Sequence, residues 1–428
     1  MKKLNEINLF RAFRSRNFVF YFIGRAVSQF GTWMQRTAVI WVVYTITHSA
    51  FWIGVTIFTE QFPSFLFSFW GGVAADRYDR FKVIQITQLA SIIQAVLLAV
   101  LVLTGHTAVW AILALSIVLG IINAFDVPAR QSLFNEIIAD PADLSNALSL
   151  STATASLAQL LGPALSGIIL AAWGAATCFF INSASFVGVM VSLILMDRPS
   201  YNPKESKKKV TRDFIEGFSY IWKTPSIGII ILMLAIISLL VLPYNTVLPV
   251  FAKVIFKGDA KTFGYITSFI SVGAVIGTIF LASRKPGTHL RQILFVSTLI
   301  MGIGMIFFSQ LKSFPLAMFF AALTGFGSIA QFTVCNIVVQ SESTQQMRGR
   351  AIGILLMAIF GMMPLGSVIV GAVSERIGAP TTVLAQGIIA IIIALAFIKF
   401  LTNTSADHTK TDIKAEKTRN IVEEGLQK

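Results

Sequence analysis

Charged side chains are scarce in this sequence. Of its 428 residues only 13% are Asp, Glu, Lys or Arg, whereas 55% are hydrophobic. About a quarter of the residues in an ordinary soluble domain are charged, because its surface has to face water. The composition therefore excludes an ordinary soluble protein. Twelve membrane spans of about 20 residues each would use most of the apolar residues, so the sequence predicts a polytopic membrane protein.

Cysteine and histidine are also scarce. Cys178 and Cys335 lie in apolar runs and form no CxxC pattern, so a packing role is favoured over a reactive thiol. The 4 histidines lack the spacing of metal ligands. We therefore expect no disulfide framework, no metal site and no cofactor.

Apolar runs broken by Gly, Pro or charge predict the membrane spans. They cover residues 18–45, 50–73, 82–104, 108–127, 146–172, 175–196, 226–250, 263–282, 289–309, 314–336, 351–373 and 379–401. With the N-terminus inside, 27 Lys and Arg residues fall in inner segments and 5 in outer loops. Because basic residues collect on the cytoplasmic side, both termini are predicted to be cytoplasmic. The net charge of +14 then reflects topology rather than nucleic-acid binding.

The longest loop divides the twelve spans into two groups of six. The predicted segments are a cytoplasmic, interfacial N-terminal segment (1–17), a six-helix bundle (18–196), a cytoplasmic linker (197–225), a second six-helix bundle (226–401) and a disordered cytoplasmic tail (402–428). In the linker Phe214, Ile215, Phe218 and Trp222 recur at helical spacing. This pattern predicts an amphipathic helix on the inner leaflet.

The two groups of spans resemble internal repeats. Gly120 leads to a break near Pro128 and then to Gly162, and Gly325 leads to a polar break and then to Pro364. Two six-span halves with a binding site near the midplane are a known transporter arrangement. We therefore predict an all-α integral membrane fold, with twelve transmembrane helices as two six-helix pseudo-repeats.

The inner end of the second predicted span carries a recognisable motif. Residues 72–82 read GVAADRYDRFK, which resembles the loop signature G-x-L-A-D-R-x-G-R-[KR] of the major facilitator superfamily. The matching positions are Gly72, Ala75, Asp76, Arg77 and Arg80. The second glycine and one basic residue of the signature are replaced by Asp79 and Phe81, so the local turn is expected to differ.

The resemblance implies a gate at this loop. In the family the Asp of the motif holds the inner gate shut by a contact between the two halves. A carboxylate gains stability near a helix N-terminus and beside Arg, so the natural partners of Asp76 here are the start of the eleventh span and Arg350. The alternative is a solvated basic loop in which the Asp has no special role.

The fifth span contains a second motif. Gly162, Pro163 and Gly167 resemble the antiporter motif of exporters in the same superfamily, which ends G-P-x-x-G-G. Ser166 replaces the first of the final glycines. Small residues let helices approach closely, so the motif indicates either an export-biased fold or generic helix packing.

Two further stretches narrow the resemblance. Residues 123–133 and 347–350 are similar to a subgroup that contains the enterobactin exporter, macrolide efflux proteins and other drug antiporters. The similarity covers about residues 10–400 and implies export of a medium-sized organic molecule. Many drug–proton antiporters carry an Arg deep in the fourth span, whereas residues 112–125 here contain none. Proton coupling therefore cannot be transferred from that motif.

Four ionisable residues are predicted at membrane depth: Arg25, Arg36, Glu60 and Asp126. Such residues are costly and are functional candidates by default. Arg36 and Glu60 lie at similar depth on the first two spans, so they are expected to pair. Glu60 is a proton-coupling candidate if the pair opens during transport, and a structural staple if it does not. Asp126 is a second coupling candidate or an ordinary helix-end charge.

Other residues are candidates for the substrate cavity. Arg25 and Arg36 would attract an anionic group, and Trp33 either lines the cavity or packs between helices. In the second half the polar candidates are Tyr244, Asn245 and Gln331. The alternative for Tyr244 and Asn245 is that they satisfy a backbone broken by proline.

Taken together, these patterns predict an inner-membrane exporter that works by alternating access and proton antiport. The expected partners are a small organic substrate, protons and the lipid bilayer, with no nucleic acid, and we expect a monomer. A siderophore or a drug is the expected substrate. Import or passive transport of a small metabolite and lysophospholipid transport are the alternatives. Four separated charges do not form a catalytic site, so an enzyme is not expected.

Overall fold

The computed structural model of the protein describes residues 11–134, 136–138, 140, 143–197, 210–284 and 289–398, with the side chains of 210–215 excepted. Parts of the predicted N-terminal segment (1–10), linker (198–209) and tail (402–428) therefore lie outside the described residues. The same is true of the side chains of Phe214 and Ile215.

All regular structure in the described residues is helical. A 3-10 turn (Arg11–Arg14) precedes the first group, which comprises α1 (Arg16–Thr47), α2 (Ala50–Arg77), α3 (Arg80–Leu103), α4 (Val109–Phe134), α5 (Leu144–Trp173) and α6 (Ala175–Leu195). Helix α7 (Val210–Lys223) follows, and then α8 (Pro225–Leu240), α9 (Ala260–Ala282), α10 (Leu290–Gln310), α11 (Phe314–Glu342), α12 (Arg348–Ile377) and α13 (Ala379–Ala396).

Ten helical segments of the described chain are long and apolar enough to cross a membrane. They are α3 to α6, α8 with its continuation to Ile255, and α9 to α13. Helices α1 and α2 have 32 and 28 residues, so they also exceed the length of a span. They contain Arg25, Arg36 and Glu60, which lower their hydropathy, and both pack among the ten.

The helix ends follow from local sequence. Ser15, Ser49 and Asp79 stand before α1, α2 and α3, and each side chain accepts a hydrogen bond from a backbone N–H of the first turn. Gly174 (φ 81°) connects α5 to α6 and Gly378 (φ 85°) connects α12 to α13. A side chain is strained at such φ values, so glycine allows a sharp reversal at both places.

Successive helices alternate in direction. We call the side at which α1 begins the near face and the side at which it ends the far face. Helices α2 and α12 pack as an antiparallel pair, since Ala50 lies against Gly371 and Phe65 lies against Gly361. Helices α5 and α9 form the second such pair, in which Gly167 approaches Ala260. These two pairs join the first group of helices to the second.

The two groups contain equivalent contacts. Gly120 of α4 lies against the backbone of α2 at Glu60, and Gly325 of α11 lies against the backbone of α9 at Ile270. A Cβ atom at either glycine would collide with a carbonyl oxygen. Close approach through small residues is a common way to pack membrane helices, and it recurs here at matching positions.

The predicted end of the fourth span differs from the structure. No break occurs at Pro128, because α4 continues through it to Phe134; proline is tolerated in membrane helices when neighbouring groups satisfy the freed carbonyl. Arg130 therefore lies inside a helix rather than in an inner loop. By contrast, α8 ends at Leu240 and continues as 3-10 turns (Leu242–Val247), a short helix (Leu248–Val250) and a π-turn (Phe251–Ile255).

Candidate functional site

The first charged pair joins α1 to α2. Arg36 Nε lies 2.7 Å from Glu60 Oε1, and 36% of the Arg36 side chain is exposed against 13% for Glu60. The Arg36 guanidinium also lies over the Trp33 ring, 5.6 Å from its centroid. The pair is therefore formed in this conformation and its cation remains accessible.

Trp33 belongs to the contact between α1 and α5. A Cβ atom at Gly162 would lie 2.6 Å from the Trp33 Cβ, so α5 needs a glycine at this point. Trp33 is half-buried, which leaves part of its ring free. It thus packs between helices and also presents a face beside Arg36.

The antiporter-like motif lies between α1 and α9. Ser166 Oγ donates a hydrogen bond to the carbonyl of Met34 on α1 (3.0 Å). On the other side, a Cβ at Gly167 would lie 2.6 Å from the Ala260 carbonyl oxygen, and one at Gly264 would lie 2.5 Å from that of Pro163. The small residues of the motif allow the closest approach between α5 and the second group.

A second charged centre is buried between α3 and α4. Asp126 accepts hydrogen bonds from Thr87 Oγ1 (2.8 Å) and Gln88 Nε2 (3.1 Å). It also pairs with Arg130 one turn further along α4. Asp126 is 7% exposed and Arg130 5% exposed. Asp126 is therefore a buried carboxylate with three side-chain partners in this conformation.

Arg25 lies beside this centre. Its guanidinium interacts electrostatically with Arg130, Asp126 and Tyr21, and its side chain is half-buried. No hydrogen bond or ion pair joins it to the part of the chain that the structure describes. Since Asp126 is already neutralised by Arg130, Arg25 leaves a net positive charge at this depth.

Arg130 is the functional candidate that the sequence prediction missed. It was assigned to a loop because the fourth span was expected to end before Pro128. The signal was present, since Asp126 and Arg130 have opposite charges four residues apart, a spacing that pairs side chains on a helix.

A chain of amides crosses the interior of the first group. Asn182 Nδ2 donates to Gln35 Oε1 (2.8 Å), Gln35 Nε2 donates to Gln94 Oε1 (3.0 Å), and Gln94 Nε2 donates to the carbonyl of Leu115 (3.2 Å). It connects α6, α1, α3 and α4, and its three amides are at most 2% exposed. The sequence prediction did not include these residues.

The candidates in the second group are neutral and mostly buried. Tyr244 lies in the 3-10 turn after α8 and is 4% exposed. Gln331 of α11 is fully buried, and neither polar atom of its amide has a hydrogen-bond partner among the described residues. Asn245 is half-buried. An unsatisfied buried amide is rare enough to require an explanation.

The loop motif lies at the near face. Gly72 is half-buried, whereas Asp76 and Arg77 are exposed in the last turn of α2. Arg80 donates to the carbonyl of Ala75 (3.1 Å) and pairs with Glu136.

Arg350, the expected partner of Asp76, donates to Glu216 of α7 through Nη1 (2.8 Å). A contact between Asp76 and the start of α12 stays a prediction.

Comparison with known proteins assigns the family. The model of the family described as transmembrane secretion effector, within the major facilitator superfamily, matches residues 7–426. The chain belongs to this family. It is therefore a multi-pass integral membrane protein of the transporter class, and bacterial transporters of this kind lie in the inner membrane. The resemblance inferred from the loop motif is confirmed.

Three relatives of this major facilitator protein have stated functions. The staphyloferrin A transporter of Staphylococcus aureus is 25% identical over 86% of this chain and 92% of its own. The multidrug efflux pump Tap of Mycolicibacterium fortuitum is 23% identical over 83% and 88%. The enterobactin exporter EntS of Escherichia coli is 22% identical over 78% and 79%.

A solved structure agrees with the fold. A bacterial homologue of the human lysosomal transporter Spinster, in an inward-facing and unoccupied conformation, superimposes with a TM-score of 0.70 at 15% identity. The match covers 91% of this chain and 98% of that one. The homologues and the fold are those of transporters rather than of enzymes.

Proposed function

We propose that this major facilitator protein exports a medium-sized organic molecule, a siderophore or a drug, by alternating access with proton antiport. The observation that carries the proposal is the set of charges within α1, α2 and α4: Arg25, Arg36, Glu60, Asp126 and Arg130. Ionisable groups at membrane depth are costly and mark transport pathways.

The proposed topology has twelve spans. Helices α1 and α2 cross the membrane with the ten apolar segments, α1–α6 and α8–α13 form two bundles, and α7 lies on the membrane surface between them. The near face is cytoplasmic, because the five basic residues expected outside, Lys253, Lys257, Lys261, Lys312 and Arg376, belong to the far-face connections.

Arg25 and Arg36 are the proposed contacts for the substrate. The five charged residues comprise three cations and two anions, so the pathway attracts a carboxylate or catecholate group. Arg25 is the stronger candidate, since it is not committed to an ion pair in the described chain. The names of the staphyloferrin A transporter, enterobactin exporter and Tap support a siderophore or drug.

Tyr244, Asn245 and Gln331 form the proposed neutral wall opposite these charges. The unsatisfied amide of Gln331 supports this assignment, because a substrate or water would supply the missing hydrogen bonds when the halves rearrange.

The first experiment identifies the substrate. Culture supernatants and cell extracts of a deletion strain and its parent are compared by untargeted mass spectrometry, with and without iron starvation. We expect one iron-responsive chelator to disappear from the medium and to accumulate in the cell. An unchanged exometabolome would reject a dedicated siderophore exporter and direct the work to drug susceptibility.

Matched variants then test the anion contact. The deletion strain is complemented with Arg25→Gln or with Arg16→Gln, which removes the same charge from the exposed first turn of α1. We expect Arg25→Gln to lower the export rate about tenfold, because it removes a charge-assisted hydrogen bond to the substrate. Equal export by the two variants would contradict the assignment.

Two roles are compatible with the pair of Arg36 and Glu60. If the pair opens during the cycle, Glu60 takes up a proton at the outside and releases it inside. If it persists, it joins α1 to α2 and the charge never changes. Glu60→Gln separates the roles: proton-driven export of the identified substrate is lost in the first case and retained in the second. Asp126 is the second coupling candidate, and its buried partners favour a structural role.

Import and passive facilitation are the alternative functions, together with lysophospholipid transport. Import predicts a lower intracellular content of one metabolite in the deletion strain. Facilitation predicts flux that continues after the proton gradient has been collapsed. Lysophospholipid transport predicts a changed lipid extract with an unchanged aqueous exometabolome.

A further inference from the structure

Helices α2 and α12 pack antiparallel, and each of them has an acidic residue followed by an arginine at its C-terminal end. Helix α2 closes with Asp76 and Arg77 at the near face, and α12 closes with Glu375, Arg376 and Ile377 at the far face. Each acidic residue therefore stands in the last turn of one helix, at the membrane face where the partner helix begins. The loop motif accounts for Asp76, whereas the role of Glu375 is not assigned by any motif.

Glu375 contacts the start of α2 directly. Its Oε1 accepts a hydrogen bond from the Ser49 hydroxyl and a second, longer one from the Phe51 backbone N–H (3.4 Å). The partners lie 326 and 324 residues apart in sequence, one in each group of helices. The bond is thus a direct side-chain connection between the two halves at the far face.

The chemistry of this contact suits a helix N-terminus. Ser49 is the N-cap of α2, and its hydroxyl oxygen accepts a hydrogen bond from the backbone N–H of Trp52 (3.3 Å). Its hydroxyl proton remains for Glu375, so one hydroxyl connects the first turn of α2 to a carboxylate on α12. The first N–H groups of a helix carry partial positive charge, and a carboxylate placed there is favourable.

The contact exists only while the far-face ends of the helices touch. Below it, a Cβ at Gly371 would lie 2.6 Å from the Ala50 carbonyl oxygen, and Gly54 lies against the backbone of Ser367. Alternating access requires these ends to separate before a substrate can leave at the far face. Any such separation breaks the bonds of Glu375, which therefore stabilise the far-closed state alone.

We propose that Glu375 is a positioning residue of the transport cycle and latches the far-face gate by capping α2 across the two halves. The proposal rests on the alternating-access function above. It assigns the far face a latch of its own, made by a carboxylate of α12 on α2, as the loop motif predicts for Asp76 of α2 on α12 at the near face.

The test measures the gate itself. Cys178→Ala and Cys335→Ser remove the native thiols, and His106→Cys and Lys312→Cys add spin labels to exposed far-face connections of the two halves. Distances between the labels are measured by pulsed electron paramagnetic resonance in lipid nanodiscs without substrate. Glu375→Gln is the main variant because it keeps the size of the side chain, and Glu375→Ala is the second.

We expect the long-distance, far-open population to rise about two- to fivefold relative to the short one, as the loss of a charge at a helix end predicts. The matched control is Arg376→Gln, which changes one charge on the neighbouring exposed residue. A distance distribution equal to that of the parent in both Glu375 variants would overturn the latch. An equal rise in Arg376→Gln would overturn it as well, because the effect would then be general electrostatics.

The export assay separates the latch from the proposed function. If the far-open population rises but the parent exports nothing, the latch stands and the export function fails. If the parent exports its substrate and the distances do not change, export stands and the latch fails.

Discussion

Helices α1–α6 and α8–α13 are packed alike but have different interiors. Gly120 and Gly325 make equivalent contacts, and Gly174 and Gly378 make equivalent connections. Within the described chain, however, the buried polar side chains of α8–α13 are all neutral, whereas α4 buries an aspartate and an arginine. The buried pair of Asp126 and Arg130 is therefore specific to the first group.

Buried amides also differ between the groups. Gln35, Gln94 and Asn182 of the first group bond to one another, whereas Gln386 of α13 donates to the carbonyls of Leu240 (3.1 Å) and Val241 (3.3 Å). These carbonyls lie where α8 changes to 3-10 turns, so Gln386 satisfies a broken backbone. Gln331 bonds to nothing in the described chain. The second group thus uses amides to support an irregular helix and keeps one unsatisfied.

The largest effect is expected at Asp126. Asp126→Ala leaves the buried Arg130 without its acid, and an uncompensated buried charge costs about 3–5 kcal/mol. The measurement is the thermal unfolding midpoint of the detergent-solubilised protein.

The double variant Asp126→Asn with Arg130→Gln removes both charges and should recover most of the loss. A single variant as stable as the parent would show that this centre is not structural.

The connecting glycines test whether the two groups are equivalent. Gly174→Ala and Gly378→Ala each place a side chain at φ above 80°, with a strain of about 1–3 kcal/mol. We expect the two losses of unfolding free energy to agree within about 0.5 kcal/mol. A loss of unfolding free energy at only one of the two glycines would show that the two groups are not structurally equivalent.

A smaller effect is expected in the amide chain. Gln35→Leu deprives Asn182 of its acceptor and Gln94 of its donor, and interhelical hydrogen bonds in membranes contribute about 1–2 kcal/mol at most. Chemical denaturation in mixed micelles measures the change. Gln29→Leu, on the same helix and half-buried, is the control and should lose less.

The smallest effect on stability is expected at Gln331. Gln331→Leu removes an amide that has no partner in the described chain, so unfolding free energy should stay the same or rise slightly. Its effect should appear instead as a higher apparent KM for export. Reduced stability with an unchanged KM would show that the amide is structural, and the contrast with Gln35 would disappear.

The positions of the spans were largely predictable. The third was expected at 82–104 and α3 is Arg80–Leu103, and the sixth at 175–196 and α6 is Ala175–Leu195. A span has to be apolar over about 20 residues, and this is visible in the sequence. Helix α4 was longer than expected because neighbouring groups tolerate Pro128 inside it. The amphipathic helix of the linker was expected, and α7 occupies that position.

The candidate site was only partly predictable. Arg36 and Glu60 were expected to meet because their depths match, and the structure brings them together. The partners of Asp126 were not foreseen, since Thr87 and Gln88 reach it from α3. Polar residues of this kind occur in many apolar spans, and the sequence does not show which neighbouring helix their side chains face.

The sequence by itself determined the membrane class, the approximate spans and the family, and it predicted four charges within the spans. Only the tertiary structure decided which charges and amides are satisfied, and that Glu375 reaches Ser49 across 326 residues. Hydropathy is a local sum over one helix, so it can be read along the chain. Which side chains become partners depends on how each helix is rotated about its own axis and on which helix lies next to it. Both are set by glycines that contact distant backbone.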